Sequence, residues 1–138
     1  MIRVLIVDDS EFTRSVLHRL LEKLDEVEVI GQARDGHEAV ELAEQLHPDI
    51  VTMDVQMPIM DGWDATQQIS QLQNNPKVIL LSGMWDESDF KLVSKVGAKG
   101  FVAKTDILEI RTAIRQVYTG ASYYSESMQR MREPVRRR

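Results

Sequence analysis

The chain alternates between two kinds of apolar pattern, and that alternation limits the folds open to it more than any other feature. Short runs rich in β-branched residues occur at Val4–Val7, Val27–Ala33, Ile50–Met53, Val78–Leu81 and Gly100–Ala103. Between them lie segments with apolar residues at helical spacing. Phe12, Val16, Leu20 and Leu24 form one stripe, and Ala39, Val40, Ala43 and Leu46 form the next. Trp63, Thr66, Ile69 and Leu72 make a weaker stripe, Phe90, Val93 and Val96 a short one, and Ile107, Ile110, Ile114 and Val117 the last. Asp35 stands three residues before Glu38, the spacing of a capping box. Pro48 and Pro76 precede strands, and Gly97 and Gly120 follow helical stripes where a helix commonly stops. Five strands alternating with five helices predict a parallel sheet covered on both faces, an α/β doubly wound single domain. The run Ile79-Leu80-Leu81 is apolar on both sides, as a strand between two helix layers requires. No internal repeat interrupts the pattern, and no linker precedes about residue 125.

Composition narrows the function. With 138 residues, 43% of them apolar, the chain suits one core rather than two. It has no cysteine, which removes disulfides, thiolate metal sites and cysteine nucleophiles, and suits a reducing cytoplasm. The first apolar run is stopped by Asp8 and Asp9, too early for a secretory signal. No apolar run approaches the ~20 residues of a membrane helix, so the expected location is cytoplasmic, with no membrane partner. Net charge is −5, but Gln129–Arg138 carries five arginines against Glu133, leaving −9 on the rest. An acidic body argues against a nucleic-acid surface on the folded part. The basic segment 125–138 reads as a solvated tail or the start of a linker, with weak DNA contact as the alternative.

In open parallel sheets the working site lies beyond the carboxyl ends of the strands. There the predicted strands end in Asp8-Asp9, Asp54, Ser82-Gly83 and Lys104. Three carboxylates gathered on one rim repel one another unless a cation relieves them. A hard divalent ion that keeps several waters and takes phosphate oxygens, Mg²⁺, fits that requirement. One carboxylate can then act as nucleophile and form an aspartyl phosphate. Lys104 and the Ser82 hydroxyl are placed to stabilise the charge on the transferred group. Singly, each residue has a plainer meaning: a strand-end aspartate is a turn or cap, a lysine is solvated, and Ser-Gly is a turn. Their coincidence on one rim favours the chemical reading.

The segments Val4-Leu5-Ile6-Val7-Asp8-Asp9-Ser10, Asp54-Val55-Gln56-Met57-Pro58-Ile59-Met60-Asp61-Gly62, Ser82-Gly83 and Lys104 together resemble the receiver domain of two-component response regulators. The resemblance covers about residues 1–122 and implies a flavodoxin-like fold with strand order 2-1-3-4-5 in a domain ending near residue 124. It also implies that Asp54 takes a phosphoryl group from a histidine kinase or phosphotransfer protein. By the same resemblance Asp8, Asp9 and Asp54 hold Mg²⁺, with the backbone carbonyl of Gln56, and Asp9 is the firmer direct ligand. Ser82 and Phe101 are the implied switch residues, Phe101 having static core as its alternative. The implied output surface is the face of the fourth helix, fifth strand and fifth helix, contacted by an output protein, an effector domain or a second copy on phosphorylation.

Two features divide the subclass. Thr105 stands where many receivers have proline, and Thr105 or Asp106 could cap the last helix. Gly97–Asp106 and Gly120–Ser125 are similar to receivers of the NarL/LuxR class, whereas Asp8–Arg14 is similar to chemotaxis-type receivers. The chain is thus expected to be a stand-alone regulator or the receiver of a transcriptional regulator, catalysing only its own phosphorylation and dephosphorylation. The alternatives are a Mg²⁺-dependent phosphohydrolase with an aspartyl nucleophile and a DNA-binding regulator acting through the basic tail. The first needs a substrate pocket that no insertion here is long enough to cap.

Overall fold

The computed structural model describes residues 1–132; three of the five arginines behind the DNA-contact reading of the tail, those at 136–138, lie outside the described residues. The expected strands form as β1 (Ile2–Val7), β2 (Val27–Ala33), β3 (Ile50–Asp54), β4 (Lys77–Ser82) and β5 (Gly100–Ala103). Between them run α1 (Glu11–Glu22), α2 (Gly36–Leu46), α3 (Gly62–Ile69) and α4 (Ser88–Lys95). A 3-10 segment at Lys104–Glu109 leads into α5 (Ile110–Tyr118). Local signals explain several boundaries. Asp35 accepts the Glu38 amide at 2.8 Å, and Glu38 accepts the Arg34 amide at 2.8 Å. Gly97 and Gly120 end their helices at φ values of +88° and +105°, where a Cβ would be strained.

The sheet has six strands, not the expected five. Its order is β2-β1-β3-β4-β5-β6, all parallel, with β6 formed by Tyr123–Tyr124 alone. Two residues are too few to show a period of two in sequence. What makes the strand is the return of the chain after α5. The Tyr123 amide donates to the Lys99 carbonyl and the Ser125 amide to the Phe101 carbonyl, both at 3.0 Å. A further helix follows, α6 (Glu126–Arg132). The edge of β5, part of the expected output face, is therefore covered by β6 and flanked by α6.

Strand parity sorts the core into two layers. Val4, Ile6, Ile50, Ile79, Leu81 and Val102 face α1 and α5, while Leu5, Val7, Val51, Met53, Leu80 and Phe101 face the other helices. Met128 of α6 is fully buried in the second layer. The helix α1 departs from the expected phase. Leu17 and Leu21 are its fully buried residues, with Leu20 and Leu24 beside them, whereas Phe12 is 78% exposed. Both diagonals of α1 are apolar, and packing on the sheet selects the one that sequence spacing did not favour.

Candidate functional site

Apolar strands carry three carboxylates to the same rim and leave two of them out of water. Asp8 follows β1, Asp54 ends β3, and both are buried, at 0% and 3% exposed; Asp9 is exposed. One carboxylate oxygen from each of the three lies within 4.8 Å of the others. Asp8 Oδ1 accepts the Ser10 amide at 2.9 Å, a local turn that starts α1, and Ser10 in turn caps α1 by accepting the Thr13 amide at 3.2 Å. Lys104, the residue after β5, bridges the two buried acids: its Nζ is 3.1 Å from Asp8 Oδ2 and 3.2 Å from Asp54 Oδ1.

One ammonium group does not offset this much buried negative charge. Burial pushes the Asp54 carboxyl up to about 7, and the Asp8 carboxylate adds to that, while Lys104 opposes it. Burial pulls the Lys104 ammonium down, but Asp54 and Asp8 outweigh it and hold it above the ordinary lysine value. Asp8 Oδ2 is buried, and the Lys104 ammonium 3.1 Å away is its one partner among the described residues. Two acids with oxygens this close, one under-satisfied, fit a hard divalent cation.

The loop after β3 is fitted closely around Asp54. A Cβ on Gly62 would stand 2.1 Å from the Asp54 carbonyl oxygen, which explains the glycine at the start of α3. Asp61 caps α3 by accepting the Asp64 amide at 3.0 Å. Ile59 sits at φ +72°, with the Met60 amide donating back to the Pro58 carbonyl at 2.8 Å, a strained γ-turn for a β-branched residue. The Gln56 amide reaches Asp54 Oδ1 at 3.4 Å, and its exposed side chain lines an open cavity of about 370 Å³ with Met57, Trp63 and Met84.

The remaining candidates lie in the neighbouring strands. Ser82 ends β4, buried, and its hydroxyl donates to the Met84 carbonyl at 2.7 Å, within its own loop. Phe101 in β5 is fully buried and meets Trp63, Phe90 and Tyr124 edge-on, with ring centroids 5.8, 6.1 and 6.4 Å away. Asp106 does not cap α5, whose start has no side-chain cap. It accepts instead the amide and hydroxyl of Ser127, at 3.0 and 3.1 Å, and so caps α6. Ser125 is the residue sequence reasoning missed: it is buried, and its hydroxyl accepts the Ala103 amide at 2.9 Å, next to Lys104. It gave no signal because its partner is 22 residues away.

Known proteins are similar to this chain in sequence, and one solved structure shares its arrangement of elements. The chain is 43% identical over 121 residues to the transcriptional regulatory protein LiaR of Bacillus subtilis, covering 87% of this chain but 57% of that protein. It is 45% identical over 102 residues to the chemotaxis protein CheY of Thermotoga maritima, covering 74% of this chain and 84% of that one. Among solved structures, a LuxR-family two-component response regulator from Aurantimonas sp. SI85-9A1 superposes with a TM-score of 0.88 at 28% identity, over 94% of this chain and 93% of that one. The sequence profile of the response regulator receiver domain matches residues 4–115. Because that match runs from β1 into α5, and so takes in every strand end that carries the acidic cluster and its lysine, the chain belongs to the family of response regulator receiver domains.

Proposed function

We propose that Asp54 is the phosphoacceptor of this receiver domain, taking a phosphoryl group from a histidine kinase or phosphotransfer protein in a Mg²⁺-dependent reaction. The observation that carries this reading is the trio Asp8, Asp9 and Asp54, with oxygens within 4.8 Å and Lys104 tied to the two buried members. Asp8, Asp9 and Asp54 would hold the ion with the Gln56 carbonyl, Asp9 being the most accessible to it. When bound there, the ion would supply positive charge that favours the ionised Asp54 carboxylate and offsets the charge of the phosphoryl oxygens. An Asp54 oxygen then attacks phosphorus, the bond from phosphorus to the donor nitrogen breaks, and its electron pair stays on the donor imidazole. Lys104 exchanges an Asp54 oxygen for a phosphoryl oxygen, and the Ser82 hydroxyl leaves the Met84 carbonyl for another. Rearrangement around Phe101 would then pass to α4, β6 and α6, which all touch its ring or its cluster.

Incubation with acetyl phosphate and Mg²⁺ should add one phosphoryl group by intact mass, and Asp54→Asn should abolish it. Incorporation that persists in Asp54→Asn, or is unaffected by chelating the metal, would sink the assignment. Rapid turnover of a general phosphomonoester would instead support the phosphohydrolase alternative.

A further inference from the structure

We infer that Ser125 is a positioning residue for Lys104, and that through it the C-terminal segment is part of the phosphoryl site. The inference rests on the reading of Asp54 and Lys104 just given and concerns what holds the lysine in place. Ser125 lies beyond residue 115, where the receiver profile match ends.

Lys104 can reach Asp8 and Asp54 together only if its backbone is fixed at the end of β5. On the β4 side, Ala103 is in register with Ser82. On the other side β6 ends at Tyr124, opposite Phe101, so no strand remains to receive the next amide that points that way. That amide is Ala103 N–H, immediately before the lysine. It donates to Ser125 Oγ at 2.9 Å in a fully buried setting. The serine hydroxyl thus takes the place of the missing strand carbonyl, and the backbone ladder continues one step further, to the residue beside Lys104.

The use of this hydroxyl is unusual for its position. The Ser125 carbonyl accepts the Gln129 amide at 2.9 Å, so Ser125 stands at the start of α6, where a serine ordinarily turns its oxygen onto its own helix amides. Here those amides are served from the 3-10 segment instead. Asp106 takes the Ser127 amide at 3.0 Å, and Glu109 takes the Glu126 amide at 3.1 Å. Burial pushes the Asp106 carboxyl up, but hydrogen bonds from Ser125 and Ser127 outweigh it and hold it below the ordinary aspartate value. Residues 125–127 therefore grip the chain on both sides of Lys104, at Ala103 and at Asp106. Capping by distant carboxylates is what frees the Ser125 hydroxyl for Ala103.

The test measures the rate of phosphoryl uptake from acetyl phosphate in saturating Mg²⁺, on the full chain. Ser125→Ala should slow uptake about tenfold at saturating donor, the effect of one lost buried hydrogen bond, with the half-saturating donor concentration unchanged. Ser125→Thr and Ser125→Val add the same bulk, and the threonine variant alone should recover the rate because it alone keeps the hydroxyl. Equal rates for these two, or an unaltered rate in Ser125→Ala, overturns the inference. Should Ser125→Ala fail to fold, Asp106→Ala, which releases the second grip from a partly exposed position, should show the same fall at saturating donor. An unchanged rate there also overturns it. Lys104→Ala and Asp54→Asn serve as controls. If uptake survives in Asp54→Asn, the underlying reading is what fails; if both controls lose uptake and the Ser125 series does not, the inference alone fails.

Discussion

Replacing Asp54 by asparagine should stabilise the protein in the absence of divalent cations, by an amount that grows with pH. The carboxyl is held near 7 by burial and by Asp8, against 3.8 for an ordinary aspartate. The folded state therefore favours the protonated acid. That advantage is complete below the unfolded-state value and is lost as pH climbs through about 7. Asparagine is nearly isosteric with the neutral acid and never ionises. It should be more stable than aspartate by about 2 kcal/mol at pH 5 and about 4 kcal/mol at pH 8, with little difference near pH 3. Asp54 is 3% exposed, so solvent screening takes little from these figures. Urea denaturation of both proteins in chelator across this range measures the difference directly. Adding Mg²⁺ at pH 8 should narrow it, since the ion favours the ionised aspartate. A difference that stays flat from pH 5 to pH 8, or an asparagine variant that is less stable at pH 8, refutes the charge argument.

Three further substitutions probe the surroundings of the site. Gly62→Ala drives a Cβ to 2.1 Å from the Asp54 carbonyl oxygen, so it should cost more than about 3 kcal/mol and weaken Mg²⁺ binding, read by denaturation and metal titration. Ile59→Gly relieves a β-branched residue at φ +72° with an 85% exposed side chain, and should raise the denaturation midpoint by the equivalent of about 1 kcal/mol. Phe101→Leu removes edge contacts to three aromatic rings and should cost roughly 1–3 kcal/mol, with a shift in the Trp63 emission that reports the loosened contact.

What the sequence disclosed depended on whether the deciding contact was local. The acidic cluster was legible because each strand is an apolar run cut off by its functional residue: Val7 by Asp8, Met53 by Asp54, Leu81 by Ser82, Ala103 by Lys104. The Asp35 cap was legible because donor and acceptor are three residues apart. The phase of α1 was not. Phe12-Val16 and Leu17-Leu21 are equally apolar, and only the sheet beneath the helix distinguishes them. Sequence order offers Asp106 as a cap for the helix that follows it, whereas its amide partner Ser127 lies 21 residues on. The strand β6 has no sequence signature of its own; it exists because α5 returns the chain to the free edge of β5.

Whether α6 is integral to this domain or a lightly docked arm can be decided at one buried residue. Met128 is fully buried in the layer that holds Phe101, while its helix neighbours Gln129 and Arg130 are exposed. Cutting a buried methionine to alanine costs roughly 2–5 kcal/mol when the surrounding structure cannot relax. If α6 could peel away cheaply, the protein would escape that cost by undocking, and the measured loss would equal only the docking energy. Peeling, however, strips Ser127 from Asp106, Glu126 from Glu109 and Arg132 from the Tyr124 ring, which it overlies at 3.8 Å. It also takes away the acceptor of the Ala103 amide, a loss of about 1 kcal/mol by itself. Met128→Ala should therefore lower global stability by at least about 2 kcal/mol, with the Ala103 amide still protected from hydrogen exchange. Unchanged global stability together with fast exchange at Ala103, Glu126 and Ser127 would mean that α6 undocks freely, and that the grip on Lys104 from this side is weak.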